Sequence, residues 1–254
     1  MSGHLAVIGL GPGDARYLTP EADAALAAAD ALYGYGPYLD RVPARVGRSR
    51  HASDNREERA RAAAALGHAA QGARVAIVSG GDPGIFAMAA AVCEAIESGP
   101  DNWRALDVVI VPGITAMFAV AARIGAPLGH DFCALSLSDN LKPWELIERR
   151  LDAAASAGFV IALYNPVSRA RPWQLASAIE RLHRYLPSST PVVFGRSAGR
   201  PDEQINVTTL DAAATMHADM ATLIIVGSRQ TRVIARVGRS PLVYTPRAAA
   251  EVSV

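Results

Sequence analysis

An α/β protein of two units is what this sequence predicts, on three observations. Apolar strand-like runs alternate with helix-like segments along most of the chain. Several of those runs end in short loops of glycine and proline. Near the middle, Ala126-Pro127-Leu128-Gly129-His130 interrupts the alternation, and a second series of elements begins beyond it. Such alternation points to strands joined by crossover helices, with mainly parallel pairing in the first half. The expected units are an N-terminal α/β domain over 1–118 and a C-terminal α/β domain over 119–254.

The elements follow in order. Residues 5–8 are an apolar run long enough for a buried parallel strand. Thr19-Pro20-Glu21 then starts a helix with a capping hydroxyl, proline at the first helical position and acid in the first turn. Residues 31–35 read as a second strand, followed by a basic linker and a helix over 54–70 in which Asp54 and Glu57 have the spacing of a capping box. A third strand, 73–78, runs into Ser79-Gly80-Gly81-Asp82-Pro83-Gly84, and a helix follows to 98 with Gly99 as its cap. Residues 106–111 form a strand ending in Pro112-Gly113, and the next helix runs from 115 to 125. In the second half, 132–137, 159–164 and 192–194 are strands, with helices at 143–157 and 172–186 between them. Residues 204–208 alternate like a half-exposed strand and 222–226 like a buried one, while 232–244 fits either one more strand or an irregular tail.

Composition narrows the functional classes. Half of the 254 residues are hydrophobic, enough for a sizeable core. A net charge of +1 lacks the basic excess that general nucleic-acid binding requires, so no nucleic-acid partner is expected. Lys142 is the only lysine. The remaining cations are arginines, whose planar fork suits carboxylates. Cys93 and Cys133 form no C-x-x-C pair, and the six histidines have no i, i+4 pairing, so no metal site is expected. With no basic-then-apolar leader and no membrane-length apolar run, the expectation is a soluble cytoplasmic protein without a membrane partner.

The chemistry is expected in the strand-end loops. Gly9-Leu10-Gly11-Pro12-Gly13 follows the first strand as a dinucleotide-binding loop would. Its details exclude that reading: Asp14 stands where the fingerprint needs glycine, Pro12 removes a backbone donor, and the helix begins several residues late. No G-x-x-x-x-G-K-[ST] motif is present, which argues against a nucleoside triphosphate. Ligands of open α/β sheets bind beyond the carboxyl ends of the strands, and small residues there let a ligand touch the main chain. A ligand held by backbone groups with no phosphate clamp would suit S-adenosylmethionine, although composition does not establish it.

The Gly-x-Gly-Pro-Gly loop at 9–13, Gly-Gly-Asp-Pro at 80–83 and Pro-Gly-Ile-Thr-Ala at 112–116 together resemble the tetrapyrrole methylases. Leu163-Tyr164-Asn165-Pro166 and the run from Gly195 to Glu203 extend the resemblance, which covers 5–228 with its motifs in family order. Tyr-Asn-Pro-x-Ser-x-x-Arg and Pro-Trp-Gln-Leu over 164–175, with the Gly34-Tyr35 and Tyr38-Leu39 pairs, look like the branch that methylates C17 of precorrin-3B and contracts its ring to precorrin-4 in cobalamin synthesis. Ser53-Asp54-Asn55-Arg56 departs from the expected form, leaving its role open.

The resemblance implies a homodimer with S-adenosylmethionine in a cleft between the two domains and S-adenosylhomocysteine as product. Carried over position by position, it assigns cofactor contacts to Pro12, Gly80, Gly81, Asp82, Ile85, Thr115, Ala116, Tyr164, Asn165 and Ala198. No catalytic acid or base announces itself. Asp82, Arg196 and Ser197 are candidates, with helix capping the alternative for Asp82 and a binding or structural role for the other two. Tyr35 is a candidate for stacking on the macrocycle. The substrate's acetate and propionate groups call for cations, which the stretch from Arg41 to Arg61 offers. Among these, Arg45 and Arg48 are substrate candidates, whereas Arg56, Arg59 and Arg61 read as a solvated helix face. Alternatives are the cobalt-containing substrate of the anaerobic route, another ring position, a diphthine synthase-type methylase and a non-catalytic tetrapyrrole carrier.

Overall fold

Strand β1 (His4–Gly9) is apolar on both sides, so it is stable only where helices cover both faces of its sheet. The chain supplies them as α1 (Pro20–Ala28), β2 (Ala31–Tyr35), α2 (Gly36–Leu39), β3 (Ser49–Ser53), α3 (Glu58–Ala69), β4 (Arg74–Ser79), α4 (Met88–Ser98) and β5 (Asp107–Val111). The five strands pair in the order β3-β2-β4-β1-β5, all parallel. Ala6, Ile8, Leu32 and Val78 turn to the side of Leu26 of α1 and Leu39 of α2. Leu5, Val7, Tyr33 and Ile77 turn to the side of Leu66 of α3 and of Met88 and Val92 of α4. The result is a three-layer α/β/α unit in this computed structural model, which describes residues 3–248.

A second unit begins at Ala116, and the boundary between the two falls after Thr115. It contains α5 (Ala116–Ile124), β6 (Gly125–Ala126), β7 (Phe132–Ser136), α6 (Trp144–Ser156), β8 (Val160–Tyr164), α7 (Gln174–Leu182), β9 (Pro191–Arg196), β10 (Gln204–Thr209), α8 (Leu210–Ala213), β11 (Thr222–Val226), β12 (Arg232–Arg236) and β13 (Arg239–Tyr244). Its main sheet, β10-β9-β11-β8-β7, is mixed: only β7 and β8 pair in parallel. Ile147 and Leu151 of α6 and Ile179 and Leu182 of α7 cover one face. Met117, Val120 and Ile124 of α5, with Val243 of β13, cover the other. No helix among the described residues is long and apolar enough to cross a membrane.

Local signals placed most elements. Thr19 caps α1 by accepting the Ala22 N–H at 3.1 Å. Other expectations change. The basic linker contains β3, whose Ser-Arg-His-Ala-Ser carries no strand-like alternation; it is an edge strand held by its parallel pairing with β2. α3 starts at Glu58 instead of 54, although Glu57 does reach back to the Asp54 N–H at 2.9 Å. The expected cap of α4 holds: Gly99 ends the helix, in an extended conformation, and the nearby Trp103 ring leaves no room for a side chain there. The tail is a hairpin, β12 with β13, that also pairs with β6.

Candidate active site

In the first unit three strands deliver their loops to one sheet edge. β1, β4 and β5 are parallel neighbours, so the chain leaves them side by side at Gly9, Ser79 and Val111. The Leu10 N–H donates to the Ser79 carbonyl at 2.8 Å, and Gly11 and Gly81 exchange backbone hydrogen bonds at 3.1 and 2.9 Å. Asp82 clasps the third loop: its carboxylate accepts the Gly84 N–H at 2.8 Å and the Gly113 N–H at 3.0 Å. The loops are packed backbone to backbone. A Cβ on Gly113 would lie 2.2 Å from the Gly81 oxygen, and one on Gly9 would lie 2.7 Å from the Gly113 nitrogen. From α2, Tyr38 lies against Gly80, with Tyr35 at the end of β2 edge-on to it at 5.4 Å between ring centres. One guanidinium nitrogen of Arg41 donates to the carbonyls of Leu10, Gly11 and Gly13 at 2.6, 3.0 and 2.9 Å.

The second unit has an equivalent edge. β7, β8 and β9 run in one direction, β9 being antiparallel to β11 as β8 is, so Ser136, Tyr164 and Arg196 end together. The Tyr164 hydroxyl accepts the Met117 N–H at 3.2 Å, fixing the ring at the start of α5. Asn165 donates from its side chain to the Ser136 hydroxyl at 2.9 Å. Arg196 binds Asp219 at 2.9 Å and Asp202 at 3.2 Å, and the Ser197 hydroxyl donates to the same Asp202 oxygen at 2.9 Å. That hydrogen bond, aided by Arg196, holds the Asp202 carboxyl below the usual range. Burial works to raise the Asp219 carboxyl, but hydrogen bonds from Thr222, Arg196 and the Ala221 N–H outweigh it and hold that group low as well.

Non-glycine residues with positive φ among the described residues are Phe86, Asn165 and Ser197, each at +52°. All three lie in loops leaving these strand ends, two of them directly after β8 and β9. Left-handed backbone is costly for L-residues and persists where the surroundings enforce it, commonly at functional sites.

The expected site residues sort accordingly. Pro12, Gly80, Gly81, Asp82, Ile85, Thr115 and Tyr35 belong to the carboxyl edge of the first sheet. Tyr164, Asn165, Arg196, Ser197 and Ala198 gather at the carboxyl edge of the second, with Ala116, Tyr164 and Ala198 in one apolar cluster. Asp82 caps no helix: α4 starts six residues later, at Met88, and the carboxylate is committed to Gly84 and Gly113. Arg45 and Arg48 sit at the opposite edge, before the start of β3. Arg45 donates to the Ala27 carbonyl and to Ala29 at 2.7 Å, and Arg48 to Leu26 at 2.9 Å and Pro43 at 2.5 Å. They finish the carboxyl end of α1, where cations are favoured. Arg61 is buried, not solvated, and donates to the Ser53 hydroxyl at 2.7 Å. Among the described residues no cluster of three or more His, Cys, Asp or Glu has the arrangement of a metal site.

Two residues with roles at these edges escaped the sequence reading. Arg41 was visible only as one cation of the basic stretch after β2; the carbonyls it binds belong to the loop after β1. Arg171 stood inside the 164–171 motif and donates to the carbonyl of Asn165 within it, but its second carbonyl partner, Leu137, lies outside the motif.

Comparison with known proteins agrees with this geometry. The model of the tetrapyrrole (corrin/porphyrin) methylases matches residues 4–214. A precorrin-3B C(17)-methyltransferase of Sinorhizobium is 64% identical over 97% of each chain. A probable cobalt-factor III C(17)-methyltransferase of Salmonella typhimurium is 42% identical over 96% of this chain and 98% of that one. The crystal structure of the methyltransferase CobJ superposes with a TM-score of 0.90 at 48% identity, covering 96% of this chain and all of the other. A uroporphyrin-III C-methyltransferase from Thermus thermophilus, complexed with S-adenosyl homocysteine, shares the fold at 21% identity and a TM-score of 0.68. A family match running through both sheet edges, together with end-to-end relatives, makes this chain a member of the tetrapyrrole (corrin/porphyrin) methylases.

Proposed function

We propose that the chain transfers a methyl group from S-adenosylmethionine to C17 of precorrin-3B, with contraction of the ring to precorrin-4 in cobalamin biosynthesis. The observation that carries this reading is the 64% identity to the Sinorhizobium precorrin-3B C(17)-methyltransferase over nearly the whole of both chains. The residues present suit the donor. No lysine stands in the 80–84 and 112–116 loops, where a phosphate-bearing ligand would call for one.

Pro12, Gly80, Gly81, Asp82, Ile85 and Thr115 of the first unit, and Ala116, Tyr164, Asn165 and Ala198 of the second, are the proposed cofactor residues. When bound, S-adenosylmethionine supplies a methyl group already activated by its sulfonium. The chain's work is then to bind, orient and exclude water. Asp82 acts by shaping its loop, since both carboxylate oxygens already accept backbone N–H groups. Arg196 and Ser197, tied to Asp202 and Asp219, act by holding the turn that presents Ala198. Tyr35, at the end of β2, is proposed to face the macrocycle. The active species is proposed to be a cytoplasmic homodimer.

The 42% identical Salmonella relative favours a second reading, in which a cobalt-containing intermediate is methylated at the same carbon. The test is anaerobic incubation with S-adenosylmethionine and precorrin-3B, read by mass spectrometry against a control without donor. A product heavier by one methylene, with carbon-13 label at C17, is the expected result. An unchanged tetrapyrrole, from protein that binds S-adenosylhomocysteine, would discard precorrin-3B as the acceptor. The cobalt substrate would then be the next arm.

A further inference from the structure

We propose that Arg171 is a positioning residue for the turn at Asn165, acting through its backbone without touching the reactants. The proposal rests on the reading above in one respect, that Asn165 contacts S-adenosylmethionine. Asn165 is under two conflicting demands. It is left-handed, with φ of +52°, and it directly precedes Pro166. A residue before proline prefers the β or polyproline region, so this conformation must be enforced from outside.

Arg171 supplies the enforcement. Its side chain is 8% exposed, and a buried guanidinium requires partners. Those partners join two loops. Nη1 donates to the carbonyl of Leu137 at 3.4 Å, after β7, and to the carbonyl of Asn165 at 3.3 Å, after β8. Nε stands 3.9 Å from the Asp139 carboxylate, which also accepts from the buried Gln174 at 3.2 Å. Nη2 faces the Met220 sulfur at 3.6 Å. A pair of backbone hydrogen bonds between Ser168 and Arg171, each 3.0 Å, sets the chain that carries the arginine.

Asn165 is thus held at two points. Ser136 accepts from its side chain, and Arg171 fixes the direction of its carbonyl. Together they leave Tyr164-Asn165-Pro166 one arrangement. Without Arg171 the peptide after Asn165 is free to turn toward the conformation that proline favours, and the cofactor-facing groups turn with it.

The experiment is calorimetric titration of the full chain with S-adenosylhomocysteine, alongside thermal unfolding. Arg171→Met should weaken binding about tenfold or more, the scale of lost hydrogen bonds from a charged donor. Arg171→Lys keeps the charge but cannot span both carbonyls, and should fall about threefold. The double variant Asn165→Ala with Arg171→Met should lose less than the sum of the two single losses, because the side-chain hold on Ser136 and the carbonyl hold on Arg171 fix one and the same turn. If Arg171→Met does not fold, Arg171→Lys and Asp139→Asn carry the test, each expected to weaken binding about threefold. Wild-type affinity in the folded variants, even with a lowered melting temperature, would overturn the proposal. So would full additivity with Asn165→Ala. A wild-type chain that binds no S-adenosylhomocysteine would overturn the cofactor reading itself, a result distinguishable from both.

Discussion

Adding one methyl group at two different glycines should move stability in opposite directions. Gly113 lies between the loops after β1 and β4, and a Cβ there would come within 2.2 Å of the Gly81 oxygen and 2.9 Å of the Gly9 backbone. The first contact is more than about 1 Å short of ordinary van der Waals separation, and no flexible side-chain end is available to yield. Relief requires parting the strand-end loops or breaking the Gly113 N–H bond to Asp82. Overpacking typically costs about 1–3 kcal/mol, and backbone obstacles on two sides place Gly113→Ala near the top of that range. Gly67, in the last turn of α3, has nothing within 4 Å of its would-be Cβ. Gly67→Ala should stabilise by roughly 0.5 kcal/mol through helix propensity alone. Urea unfolding by circular dichroism measures both, with unchanged slopes showing that stability and not the unfolded state has moved. Calorimetry with S-adenosylhomocysteine then reports the edge: Gly113→Ala should bind more weakly and Gly67→Ala normally. Wild-type stability and affinity in Gly113→Ala would refute the account of three interlocked loops.

Two further outcomes follow from the electrostatics. Arg48→Ala should lower stability by about 1–2 kcal/mol, because it releases the Leu26 and Pro43 carbonyls, and should leave the KM values for donor and tetrapyrrole unchanged. A raised KM for the tetrapyrrole at unaltered stability would return Arg48 to the substrate. Asp219 has a folded-state pKa below its unfolded value, so its contribution is present above the unfolded pKa and is lost as pH falls through the folded one. A melting-temperature profile taken downward from about pH 4, where unfolded aspartates titrate, should therefore fall more steeply for the wild type than for Asp219→Asn. Parallel profiles would remove Asp219 from the network around Ser197.

The sequence alone carried what neighbouring residues decide. The apolar run of β1, the Thr19-Pro20 start of α1 and the glycine-proline loops at strand ends are short-range features, so they were legible one after another. The same loops in their order along the chain were enough for the family, because each is a contiguous motif that can be read without its distant partners. Tertiary structure decided everything that depends on a distant partner. β3 is a strand only because β2 offers it an edge, and nothing in Ser-Arg-His-Ala-Ser announces that. Asp82 looked like a helix cap until Gly113, 31 residues away, took its second oxygen. Arg45 and Arg48 carry the charge a polycarboxylate would want, yet the end of α1 claims them. Arg41 becomes structural through carbonyls of the loop after β1, and Arg171 by joining the Asn165 carbonyl of its own loop to the Leu137 carbonyl after β7. Charge and residue type are local properties; which desolvated partner a charge must satisfy is set only when the chain has folded around it.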